Sequence, residues 1–200
     1  MQIVNDDAIA GRKVIFESIL DEVIGGASLN VARLDSTDTD KKFVKAGAPV
    51  YYVPATRVME LCKTVLVIDG GSTSAPRVGK NHHFKVGDII GDGTTAQCIT
   101  AIDKTSSADY DTLTLNSTIA TAGTAGTKMF EGTVSGSSAV LKYTPNGILK
   151  NDVYIVDGNA DGGIVTIGNV RESALEYPMP TLFKTALRAA TGTSLITFTT

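Results

Sequence analysis

There is no tryptophan in this 200-residue chain, and aromatic residues make up only 6% of it. A buried core must therefore be built from aliphatic side chains. Cysteine is limited to Cys62 and Cys98, too few for a disulfide framework or a Cys-rich zinc site. Each sits beside an apolar neighbour (Leu61, Ile99) and reads as a small buried hydrophobe. Histidine is limited to the adjacent pair His82-His83. Nucleophilic catalysis needs a base oriented against Ser or Cys, and two histidines in one polar turn make such a set hard to assemble. Neighbours on a strand face opposite sides, so the pair does not suit a single metal and reads as a surface strand or turn. Basic residues show no excess: 18 Lys and Arg stand against 21 Asp and Glu, for a net charge of −3. A phosphate-backbone binder needs a basic surface, so nucleic acid is not an expected partner. No apolar run approaches the roughly 20 residues that span a bilayer, which removes the membrane as an expected partner. Met1-Gln2-Ile3-Val4-Asn5-Asp6-Asp7 lacks the basic and apolar regions of a signal peptide. Synthesis in the cytoplasm follows as the expectation.

What is present points to strands and turns. The chain has 20 Gly, 42% hydrophobic and 20% charged residues, a globular balance rich in turn formers. Three stretches differ in style. Residues 1–45 form an N-terminal segment. Within it Ile15-Ile19-Val23 and Phe16-Leu20-Ile24 follow i, i+4 spacing and predict a helix stopped by Gly25-Gly26, although Val14-Ile15 also suits extended chain. A sharper reading makes this segment an arm that docks on a neighbouring subunit through Ile9, Val14, Phe16, Ile19, Leu20 and Val23. Residues 46–78 and 136–200 form one β domain. Val65-Leu66-Val67-Ile68 reads there as a strand buried on both faces, and Val153–Val156, 163–171 and 194–198 read as further strands. A helix over 180–191 is opened by Pro180, carries Leu182, Phe183, Ala186 and Leu187 on one face, and precedes Gly192. Residues 79–135 form an inserted small β-barrel, with clean alternation over Thr112-Leu113-Thr114-Leu115. The expected class is all-β, with one short C-terminal helix.

Several motifs imitate chemistry. Gly91-Asp92-Gly93-Thr94-Thr95-Ala96 matches a dinucleotide fingerprint, but the strand pattern Gln97-Cys98-Ile99-Thr100 follows where a helix is required, so it reads as a hairpin turn. Asp157-Gly158-Asn159-Ala160-Asp161-Gly162 matches the first half of a calcium loop. Its twelfth position is Gly168, not the bidentate Glu, which leaves Asp157, Asn159 and Asp161 as a weak cation candidate beside the plainer reading of a polar turn. No spacing singles out a catalytic pair among the carboxylates, and no cofactor, metal or catalytic residue is assigned.

The segments Tyr143-Thr144-Pro145-Asn146-Gly147-Ile148-Leu149, Val153-Tyr154-Ile155-Val156-Asp157-Gly158 and 163–172, with the helix and Ile196-Thr197-Phe198, resemble the C-terminal half of lambda-type phage head decoration proteins. Phe43-Val44-Lys45-Ala46-Gly47-Ala48-Pro49-Val50 resembles their N-terminal half. The inserted block, with Val86-Gly87-Asp88-Ile89-Ile90 and Ile99-Thr100-Ala101-Ile102-Asp103, is similar to head fibre proteins of phages and prophages of Bacteroides-like hosts. The resemblance implies a non-enzymatic virion protein on the outer capsid face, a homotrimer that clamps major capsid subunits and displays the insert as a knob. The alternative it carries is a head fibre module that binds a host-surface glycan or receptor. Exposed aromatics on the insert would favour that, with Phe84, Tyr110 and Phe130 as candidates.

Overall fold

The computed structural model describes residues 14–38, 41–156, 160–189 and 195–200. The chain is all-β with one short helix near its C-terminus, in two bodies. The first is an eight-stranded curled sheet. It is built from β1 (Phe16–Glu22), β2 (Ala27–Leu29), β4 (Pro49–Val53), β5 (Val58–Leu61), β12 (Gly147–Leu149), β14 (Asp161–Gly162), β15 (Ile164–Arg171) and β16 (Leu195–Thr199). Their order is β1-β15-β12-β4-β5-β2-β14, with β16 added in parallel to β15. A two-stranded ribbon, β3 (Phe43–Val44) with β13 (Val153–Tyr154), lies beside it.

The second body is a closed six-stranded barrel. Its staves are β6 (Thr64–Ile68), β7 (Arg77–Gly79), β8 (Ile89–Gly91), β9 (Ala96–Asp103), β10 (Tyr110–Leu115) and β11 (Lys128–Glu131). They run in the order β10-β7-β6-β11-β8-β9, and β9 pairs back onto β10. Inside lie Val65, Val67, Val78, Ile90, Ile99, Leu113 and Met129, each at most 2% exposed. Alternation along β10 points Leu113 and Leu115 inward, as the sequence pattern requires. Leu66 on β6 is 40% exposed, so that strand is buried on one face and not on both. The turn at 91–95 links two antiparallel strands, as expected of a hairpin.

The barrel therefore occupies 64–131 and not 79–135. Strands β6 and β7, assigned from sequence to the surrounding domain, are staves: β6 pairs with β11 and β7 with β10. Those partners lie dozens of residues away, and local periodicity carries no trace of them. The insertion leaves the sheet after β5 and returns to it at β12.

The N-terminal segment also differs from the helical expectation. Residues 16–22 form a strand antiparallel to β15, and β2 pairs with β5 and β14. A lone helix of about ten residues is marginal in water, so tertiary pairing decides the conformation of such a segment. Register shifts at Phe16/Ser18, Ile19/Asp21 and Asp21/Glu22 mark irregular pairing, which explains why these residues show no clean two-residue period. Residues 16–22 and 27–29 of the segment are part of this chain's own sheet, Val14 precedes the first strand, and Ile9 lies outside the described residues.

The helix, α1 (Thr181–Arg188), buries Phe183 and Leu187, one turn apart. Pro180 occupies its N-cap and its carbonyl accepts from the amides of Phe183 and Lys184. Leu182, expected on the same face, is 45% exposed. Eight residues cannot sustain a helix alone. Packing of Phe183 against Phe130, ring centroids 6.0 Å apart, holds it over the join between sheet and barrel.

The turn between β1 and β2 tests how firmly the segment belongs to the sheet. Gly26 has φ +63°, and a Cβ there would lie 2.5 Å from the Gly162 carbonyl oxygen. Gly26→Ala combines left-handed strain with a backbone clash and is expected to cost at least about 2 kcal/mol. Urea unfolding monitored by circular dichroism measures it.

Candidate functional site

Of the residues that sequence singled out, most separate. On β1, Leu20 is 76% exposed and Ile24, just beyond it, 88%; Val14 and Ile19 are also exposed. Phe16 and Val23 instead turn partly inward against the cores of the sheet body. The docking set is thus split between surface and interior, and Ile24 joins its exposed half. A shallow depression over this strand is lined by Ile19, Leu20, Asp21, Glu22, Ile24 and Lys150. In the cation candidate, Asp161 sits on β14 and its carboxylate accepts a hydrogen bond from Ser28 Oγ on the facing strand. Asp157 and Asn159 lie outside the described residues. Among the described residues no group of three or more His, Cys, Asp or Glu is placed to hold a metal ion. Cys62 is buried, whereas Cys98 is half-buried, and both are free thiols. Of the aromatics proposed for ligand binding, Phe84 and Phe130 are buried core residues. Tyr110 is half-buried and stacks under Arg77, 4.7 Å from its guanidinium.

The histidine pair is the largest departure from expectation. His82 and His83 are each 1% exposed, not on the surface. They lie in a buried polar seam between barrel and sheet. Segment 35–41, between β2 and β3, supplies Asp35 and Lys41; the barrel supplies Lys80, His82, Lys104 and Asp111. Lys41 Nζ donates to Asp111 Oδ2 at 2.8 Å and to Asp35 Oδ2 at 3.3 Å. Lys80 Nζ donates to Asp111 Oδ1 at 2.9 Å, and Lys104 Nζ to Asp35 Oδ2 at 2.5 Å. Asp38 adds a third carboxylate, 3.3 Å from Lys41 and 3.2 Å from Lys104. Burial opposes ionisation of Asp111, but hydrogen bonds from His82, Lys41 and Lys80 outweigh it and hold its carboxyl well below the ordinary range. Asp35 is held low in the same way by Lys104 and Thr37 against its own burial.

The histidines themselves are neutral. The Phe84 amide donates to His82 Nδ1 at 3.2 Å, so the ring's proton sits on Nε2 and faces Asp111 Oδ2 at 3.0 Å. His83 Nδ1 donates to the Asp35 carbonyl at 2.9 Å, and its Nε2 accepts from Tyr177 Oη at 3.1 Å. Burial lowers the pKa of His82 and pushes that of His83 down to about 4.

A second cluster pins the same join. Arg33 clamps Glu131 with Nη2 at 2.6 and 2.7 Å and reaches Glu60 with Nη1 at 2.8 Å. Lys142 adds a contact to Glu131 at 2.7 Å, and buried Lys63 pairs with Asp88 at 2.6 Å. Glu131 is 3% exposed. Beside these clusters a groove of about 200 Å³ is lined mainly by Leu66, Lys128, Glu172, Tyr177 and Met179. Here Lys128 and Lys184 both engage Glu172.

Arranged this way, the charged groups hold two β bodies in one orientation. Each is occupied by a partner inside the protein, and among the described residues Leu20 and Ile24 are the most exposed large apolar side chains. One signal in the sequence pointed to the seam: Asp111 falls in the same inward phase of β10 as Leu113 and Leu115. A carboxylate at an inward position must have cationic partners.

Two outcomes follow from this geometry. Glu131→Ala leaves Arg33, Lys63 and Lys142 without their shared anion and is expected to cost about 3–5 kcal/mol in urea unfolding. The histidines set a pH dependence. The native state binds fewer protons than the unfolded chain once pH falls below the unfolded histidine value of 6.5, so stability declines on acidification through that value towards about pH 4. The depressed carboxyls of Asp35 and Asp111 add a further loss below their ordinary value of 3.8. Urea midpoints measured from pH 8 to pH 3 are expected to stay level above the histidine range and fall below it, and His83→Gln is expected to flatten the upper part of that fall. Comparison with family models, with curated proteins and with solved structures gives no match for this chain.

Proposed function

We propose that this chain is a structural capsid-decoration protein. It binds the outer face of a phage head, bridges major capsid subunits as a homotrimer, and holds its barrel outward as a knob. The resemblance of its sheet segments to lambda-type decoration proteins and of its insert to head fibre proteins supports the reading. The observation that carries it is the exposed apolar pair at the end of β1, at the free edge of the sheet, where Leu20 on the strand and Ile24 just beyond it stand 76% and 88% open to solvent. Neighbouring exposed apolar side chains on a charged protein mark a surface that meets another molecule. The register shifts along β1 disfavour simple strand addition, since bulges blunt an edge. Contact through side chains fits a lattice of several subunits better. The fastened barrel supplies the rest: a rigid body transmits load between capsid subunits, and a loosely tethered one does not.

Leu20→Lys combined with Ile24→Lys tests the reading. Two interface residues worth more than about 1 kcal/mol each predict at least an about tenfold drop in occupancy on expanded heads. Folding stability is expected to stay within about 0.5 kcal/mol of wild type, because both sites are exposed. Co-sedimentation with purified heads gives occupancy. Full occupancy by the double variant, or absence of the wild-type protein from mature particles, overturns the proposal.

A further inference from the structure

The seam between barrel and sheet contains a set of groups beyond what fastening by charge requires. Lys41 and Asp111 face each other at 2.8 Å with both side chains 0% exposed. Around them stand a proton acceptor for the amine, Asp35 Oδ2, 3.3 Å from Lys41 Nζ, and an N–H donor to the Asp111 oxygen nearest the lysine, His82 Nε2. The other carboxylate oxygen is held by the Lys80 ammonium at 2.9 Å. We propose that Lys41 and Asp111 condense to an intramolecular amide, a covalent cross-link between the 35–41 segment and strand β10 of the barrel.

The step balances without an oxidant, reductant or cofactor. The Lys41 ammonium first passes one proton to Asp111 Oδ2, giving a free amine and a neutral carboxyl. The amine lone pair attacks Cγ, forming the Nζ–Cγ bond, and charge develops on Oδ1 against the Lys80 ammonium. Asp35 takes the second amine proton, which returns across the cluster to the leaving hydroxyl. The Cγ–Oδ2 bond breaks and one water departs. Three cationic or donor groups around Asp111 favour its carboxylate, so the first proton exchange is the slow step and the bond accumulates after folding. Once formed, the amide is out of reach of water, because neither residue has an exposed side-chain surface. The pair Lys63–Asp88 provides an internal contrast. Its Nζ–Oδ2 distance is shorter, 2.6 Å, but the aspartate side chain is 16% exposed. Water reaches that pair, so an amide there lacks the same protection, and we place no cross-link at it.

Intact mass spectrometry of the denatured full chain tests the proposal, which stands independently of the capsid reading. The expected result is a mass lower by one water than the polypeptide requires, together with a branched peptide joining residues 41 and 111 in a protease digest. Lys41→Arg keeps the positive charge but cannot form the amide, and is expected to restore the full mass. Asp35→Asn is expected to slow the loss of water at least several-fold after refolding. If Lys41→Arg fails to fold, the branched peptide from wild-type protein decides alone. A wild-type chain of full mass overturns the proposal. So does a water loss that persists in Lys41→Arg or maps to an Asp-Gly succinimide such as Asp92-Gly93.

Discussion

Charges withdrawn from water set the terms for this molecule. Lys41, Lys63, Asp111 and Glu131 are all nearly or fully buried. Desolvating one ion costs several kcal/mol unless a partner of opposite sign replaces the lost hydration. Each of these groups finds that partner in a different part of the fold. Lys41 reaches across the join to the barrel's Asp111, and Arg33 of the sheet body reaches to the barrel's Glu131. An arrangement in which the barrel swung away would leave these ions buried without partners or force their rehydration. These ion pairs therefore help to specify the orientation of the two bodies, beside an apolar cluster in which barrel residues Ala96 and Phe130 pack with Ile148, Val165 and Phe183.

That arrangement explains how a chain with so few aromatics accommodates an insertion. The barrel has its own closed hydrogen-bonding ring and its own apolar interior. It enters after β5 and leaves before β12, so the sheet loses none of its own pairs to it. What an inserted domain lacks by default is a fixed direction relative to its host. Here the polar seam and the seat of α1 against Phe130 supply that direction. The histidines extend the seam at the price of acid sensitivity, since burial holds each of them neutral. The same rigidity is what the proposed decoration role requires, with one edge turned to a lattice and the barrel turned outward.

Much of the secondary structure was legible from local pattern. The β10 alternation, the hairpin at 91–95, the strands of residues 163–171 and 194–198 and the Pro-initiated helix each depend on neighbours within a few residues, where turn chemistry and periodicity act. The segment at 15–24 was not, because its i, i+4 apolar spacing suits a helix and its β-branched content suits a strand. Pairing with β15, some 150 residues later, made the choice. Likewise the barrel's first two staves look like any other short apolar strands until their partners are known.

Composition and local order in the sequence determined that this protein is made mainly of strands and turns with a short C-terminal helix, and that its interior is largely aliphatic. Only the tertiary structure decided where the barrel begins, that the two histidines are internal, and which lysine meets which aspartate. The physical reason lies in separation along the chain. Lys41 and Asp111 are 70 residues apart, and the burial that makes their pairing obligatory exists only after both bodies have folded around them.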